Sequence, residues 1–163
     1  MDEHIRKELR EHAWSYFVLH AEQRLKTFHF YLVLATLIAG AVVTIVKDGQ
    51  NFRAGGVLAL LLPFLSFVFW KLDKRNKQLI KHGEDAIKII ERDSGLPDDG
   101  EEPHRLKLFL HEEYATSKLE RLPRTWPWSA HFSYSTCFNA VFLVFGLAAL
   151  IAGLVFLIVK TPN

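Results

Sequence analysis

Apolar and polar positions segregate into blocks along this chain. Residues 28–46 (FHFYLVLATLIAGAVVTIV) hold no acid, lysine or arginine, and only His29 is ionisable. Residues 54–70 (AGGVLALLLPFLSFVFW) form a second apolar block with Pro63 near its middle. Residues 138–159 (FNAVFLVFGLAALIAGLVFLIV) form the longest, with Asn139 the one strongly polar side chain. A helix that crosses a bilayer needs about 20 mostly apolar residues, so each block predicts a membrane span. The proline removes one backbone donor, which a span tolerates when neighbouring groups satisfy the freed carbonyl. Only seven residues (KDGQNFR) separate the first two blocks, which predicts a tight antiparallel hairpin over 28–70. The 27 residues before the first block are rich in acids, unlike the short basic start of a signal peptide, so the first block is expected to stay on the chain.

The polar stretches carry helical periodicity. In residues 1–27, Ile5, Leu9, Ala13, Phe17, Ala21 and Leu25 recur every four positions, with charges on the other faces. This predicts an amphipathic helix running almost unbroken into the first span, packed on protein or lying on lipid. Residues 71–133 continue the second span. Leu72, Asn76, Leu79, Gly83, Ala86 and Ile90 form a diluted heptad seam. Residues 93–103 (DSGLPDDGEEP) form a turn-rich acidic loop without the ligand order of a calcium hand. A further helix is predicted over 104–122, opened by Pro103, with Leu106, Phe109, Leu110 and Tyr114 inward and Leu119 or Leu122 completing that side. The expected architecture is all-α: an integral membrane protein with three transmembrane helices and a helical cytoplasmic portion.

Charge fixes the expected orientation. Lysine and arginine number five before the first span, two in the hairpin turn, twelve between the second and third spans, and one after the third. Positive residues collect on the cytoplasmic side of short loops. The pattern places the N-terminus and the large segment on the cytoplasmic side and the C-terminus outside. Trp126, Trp128, Phe132 and Tyr134 supply an aromatic entry to the third span. The net charge of +2 implies no particular partner, and the single cysteine, Cys137, excludes an intrachain disulfide.

No catalytic signature is present: no phosphate-cradling glycine loop, no nucleophile elbow, and no metal-ligand spacing. The chain is expected to be no enzyme and to need no cofactor or metal. His4, His12 and His20 stand eight apart, about 12 Å per interval along a helix, too far to share one ion. His20 is a packing histidine or a proton-sensing one.

The stretch AWSYFVLHAEQR (residues 13–24), leading directly into a hairpin of spans, resembles small bacterial membrane effectors encoded beside nucleotidyltransferases in anti-phage defence operons. These are the SLATT-like effectors, and the resemblance is nearest to the membrane effector of the Hailong system. It implies a homo-oligomeric, channel-like assembly that permeabilises or depolarises the inner membrane. It further implies control by a nucleotide, or a DNA or RNA oligomer, made by the neighbouring enzyme. Such a ligand needs cations, and Lys71, Lys74, Arg75, Lys77 and Lys81 are the candidate set, though the same residues also suit a positive-inside anchor. His20, Gln23, Arg24, His29 and Asn139 are candidate polar or gating groups. Ala35 with Ala39, Thr36 with Gly40, Ala149 with Gly153 and Ala148 with Ala152 are small pairs four apart that permit close helix packing. The competing expectation is a non-enzymatic membrane anchor or adaptor that positions a soluble partner through its cytoplasmic helices.

Overall fold

The computed structural model describes residues 3–47, 51–100, 102–120 and 134–158. The described chain is helical: α1 spans Glu3–Lys47, α2 Phe52–Arg92, α3 Leu108–Glu120 and α4 Tyr134–Ile158. Among the described residues the one β feature is an isolated bridge between Asp99 and Glu102. The helices α1, α2 and α4 are each long and apolar enough to cross a membrane. The N-terminal amphipathic segment and the first apolar block are one helix of 45 residues, and the second block and its charged continuation one of 41. Pro63 lies inside α2 without interrupting it. Two compact units divide the chain: Met1–Glu22 with Asn76–His131, and Gln23–Arg75 with Phe132–Asn163.

In the second unit, the inward face of α2 is Ala59, Leu62, Ser66, Phe69 and Asp73, all buried, at alternating steps of three and four. Tyr31, Ala35 and Val42 do the same for α1, and Phe138, Phe142 and Gly153 for α4. Tyr31, Ala35, Leu62, Phe69, Phe138 and Phe142 form one core. Glycine lets α2 and α4 approach closely. A Cβ on Gly153 would sit 2.9 Å from Leu60 Cδ2 and 3.2 Å from the Gly56 carbonyl oxygen. Where lipid is as apolar as the side chains, such close packing holds helices together in place of the hydrophobic effect. The opposite faces are apolar and open: Leu37, Val43, Val57, Phe64, Leu143 and Ile151 are each more than 60% exposed. An apolar surface of that extent is suited to lipid or to other subunits.

In the first unit, α1 crosses α2 at Phe17 and Gly83. A Cβ on Gly83 would lie 3.1 Å from both Phe17 Cα and Phe17 Cβ. Since part of that contact is backbone, Gly83→Val is expected to cost about 1–3 kcal/mol through overpacking. Gly40→Ala, where nothing lies within 4 Å, is expected to be neutral or slightly stabilising. Thermal melts in detergent followed by circular dichroism check the pair, and equal shifts would contradict this helix crossing.

Three details differ from the sequence expectations. The four-residue stripe on α1 drifts, because each step of four overshoots a helical turn by about 40°. Ala13 is buried, but Ile5, Leu9 and Leu25 are exposed. The seam on α2 runs one position later than predicted at its start: Leu72 is exposed and Asp73 buried, with Gly83 and Ile87 buried further on. The third helix begins at Leu108 rather than after Pro103. The Lys107 amide closes a turn onto the His104 carbonyl at 2.8 Å, and the first helical bond runs from His111 N to the Lys107 carbonyl at 2.9 Å. Leu106, in that turn, is 70% exposed rather than inward. The predicted contributions of Pro123, Pro127, Leu122, Trp126, Trp128 and Phe132, and of the Leu119 side chain, lie outside the described residues.

Candidate functional site

Two polar constructions stand out, one in each unit. The first ties α1, α2 and α4 together through Arg24. Its Nε donates to Asp73 Oδ1 at 2.7 Å and its Nη2 to Asp73 Oδ2 at 3.1 Å. The same Nη2 donates to Ser135 Oγ at 3.0 Å. The guanidinium lies over the Phe138 ring at 5.0 Å, and that ring stacks on Phe28 with centroids 3.8 Å apart. A planar fork that binds a carboxylate at two points and rests on an aromatic face is a use of arginine that lysine does not reproduce. The side chains are only 13% and 6% exposed, so the charges are largely withdrawn from water and depend on each other. A second bond lies about two turns further along the apolar stretches. Ser66 Oγ donates its one proton to the Leu62 carbonyl at 2.9 Å, so at the 2.8 Å contact with Tyr31 the tyrosine hydroxyl is the donor. Among the described residues no buried side-chain nitrogen or oxygen lacks a partner.

The second construction is a cleft of about 810 Å³ in the first unit, walled by the start of α1, the end of α2 and the chain leading into α3. Arg6, Lys7, Arg10 and Trp14 of α1 form one wall, and Ile87, Ile90 and Phe109 supply apolar floor. Trp14 is half exposed, while its ring also meets Phe17 at 5.8 Å and Phe109 edge-on at 6.3 Å. Glu91 closes one side. Its carboxylate accepts from the amides of Phe109 at 3.2 Å and Leu110 at 3.0 Å, so it caps the positive end of α3. Beneath the rim, Lys107 is buried and donates to Asp98 Oδ1 at 2.7 Å. The hydrogen bonds from Lys107 and from the His104 amide hold the Asp98 carboxyl below the usual aspartate range. A lowered carboxyl contributes stability that is present above the unfolded value, about 3.9, and lost as pH falls through the folded one. Asp98→Asn is therefore expected to lower the melting temperature at neutral pH and to match the wild type in strong acid. A difference that persists in acid would contradict this. On α2, burial pushes the Glu84 carboxyl up, against the lowering effect of Lys88.

The residues proposed from sequence are dispersed. Lys71, Lys74, Arg75, Lys77 and Lys81 are all exposed. Lys71 and Lys74 lie over Trp70, at 5.5 and 3.9 Å from the ring centre, an arrangement suited to an interfacial anchor. His20 meets Tyr16 edge-on at 4.3 Å, and Gln23 is exposed. His29 lines a shallow apolar groove with Leu25 and Phe30, and Asn139 is exposed. Arg24 enters the network with Asp73 and Ser135. Of the small residues, Ala35 and Gly153 pack inside the chain, Ala149 borders the core, and Ala39, Gly40 and Ala148 face outward. Asp73 and Ser135 were not singled out by sequence. The available signal for Asp73 was its register with Leu62, Ser66 and Phe69; Ser135 had none. Among the described residues no group of three metal-binding side chains converges.

The chain is similar to CD-NTase-associated protein 19 of Escherichia coli: 29% identical over 154 residues, covering 94% of this chain and 93% of that protein. No family model and no solved structure matches it.

Proposed function

We propose that the chain is a multi-pass, non-enzymatic effector of the bacterial inner membrane. It acts in anti-phage defence as a homo-oligomeric, channel-like assembly controlled by a nucleotide or oligonucleotide signal. The observation that carries this is the similarity, over nearly the full length of both chains, to a protein whose name associates it with a CD-NTase. Three span-length helices with open apolar faces support a membrane site of action. The N-terminus and the first unit sit in the cytoplasm, following the excess of lysine and arginine there.

The helix α1 has an outward face that suits the axis of such an assembly. His29, Thr36, Gly40 and Thr44 are exposed, fall at near-helical spacing and are among the small or polar members of an otherwise apolar span. The threonine hydroxyls bond back to their own helix, Thr36 to the Leu32 carbonyl at 3.0 Å and Thr44 to the Gly40 carbonyl at 2.9 Å. They can therefore face a neighbouring helix or a lumen without an unsatisfied proton. Mass measurement of the protein in mild detergent tests the assembly. A defined multiple of 18.8 kDa is expected. A monomer at every concentration would favour the anchor or adaptor function instead.

A further inference from the structure

We propose that the cleft in the first unit is a nucleotide-binding site, with phosphate held by Arg6 and Arg10 and a base stacked on Trp14. This rests on the nucleotide control proposed above and locates it away from the lysine cluster after the second apolar block. Arg6, Arg10 and Trp14 are spaced four apart, so they form one row along α1, and all three line the cleft. Like charges four apart on a helix repel each other, and an anion between them relieves that repulsion. Lys7 has Glu3 and Glu11 four residues to either side. Arg10 has no acid three or four residues away, and it forms no ion pair among the described residues. Arg6 uses one nitrogen to meet the Asp93 carbonyl at 3.3 Å and keeps its other donors. Glu91 also lines the cleft, and its two oxygens are engaged by the α3 amides.

The apolar side of the cleft matches the rest of such a ligand. Trp14 is 50% exposed beside Ile87, Ile90 and Phe109, and its indole is steadied by two phenylalanine rings. A large aromatic left open beside guanidinium groups suits stacking with a base whose phosphate is neutralised next to it. A volume of about 810 Å³ lies within the range of small-molecule sites. The five cations from Lys71 to Lys81 are exposed, and two of them are engaged with Trp70.

Calorimetry on the full chain in mild detergent tests the site with ATP, cyclic di-AMP, cyclic GMP–AMP and pyrophosphate. At least one nucleotide is expected to bind, and pyrophosphate more weakly. Arg10→Ala and Trp14→Ala should each weaken binding by about tenfold or more, Trp14→Phe should retain much of it, and Lys77→Ala should leave it unchanged. Melting curves establish that each variant is folded. The proposal is overturned if no nucleotide binds, if pyrophosphate binds as well as the nucleotides, or if binding survives both alanine substitutions. A nucleotide that binds through Arg10 and Trp14 but never makes liposomes permeable defeats the channel function and leaves the site. Permeability under a nucleotide indifferent to both residues does the reverse.

Discussion

Replacing Arg24 with methionine is expected to destabilise the protein by about 3–5 kcal/mol, the cost of stranding one member of a buried ion pair. Methionine retains most of the aliphatic volume, so the loss isolates the guanidinium. What remains is the Asp73 carboxylate at 6% exposure, without the two donors that now hold it, and Ser135 without the Nη2 bond. Asp73→Leu alone should be comparably damaging, because it leaves the guanidinium above Phe138 without the carboxylate that takes two of its bonds. The double variant Arg24→Met with Asp73→Leu should recover most of the loss, since removing both charges also removes their desolvation cost. Melts in detergent followed by circular dichroism measure all three. Single variants within about 1 kcal/mol of wild type would show that the pair behaves as an exposed surface bridge.

Phe142→Ala carries the second large expected effect, about 3 kcal/mol. The ring is 3% exposed and meets Tyr31 at 4.7 Å and Phe28 at 5.7 Å, so its loss opens a cavity where α4 faces α1. The figure is set at the low end for buried phenylalanine truncations. In a bilayer the unfolded reference keeps its side chains in lipid, and mainly the packing part of the cost remains. Phe142→Leu should return more than half of it. Leu143→Ala, one position along and 63% exposed, is expected to change monomer stability little. If Phe142→Ala and Leu143→Ala melt alike, the assigned inward face of α4 is wrong.

The three apolar helices and the continuity of α1 and α2 with their charged extensions were legible because periodicity and block length carry those features directly. Residue-level packing was less legible, for identifiable reasons. A stripe of period four rotates around the helix by about 40° at every step, so Ala13 is buried while Leu25, three steps on, is not. Asp73 lies in a run of charges, KLDKR, and only its partner Arg24, 49 positions away, makes burial tolerable. Gly83 reads as a weak point in a seam until the Phe17 backbone is seen against it. The cleft is assembled from segments about 80 residues apart, so from sequence Arg6 and Arg10 look like part of a solvated face and Trp14 like a widening of the apolar stripe. The start of α3 depends on Glu91, 17 residues before Leu108, a tertiary cap that no local signal near Pro103 announces.

The described geometry suggests how the proposed activity is built. The Arg24 network fastens α1, α2 and α4 to one another within the second unit, so the three helices respond as a body. The face of α1 bearing Thr36, Gly40 and Thr44 belongs to the same helix whose first turns carry Arg6, Arg10 and Trp14. Under the two proposals above, a ligand held at the start of that helix would act on the element that offers the small and polar face to its neighbours.

The most direct measurement is ion flux from potassium-loaded liposomes containing the purified oligomer, with and without the nucleotides named above. The proposed function predicts potassium release that changes with one nucleotide, and the proposed cleft site predicts loss of that response in Arg10→Ala without loss of assembly. Liposomes that stay sealed in every ligand state, with the protein inserted and oligomeric, would contradict it.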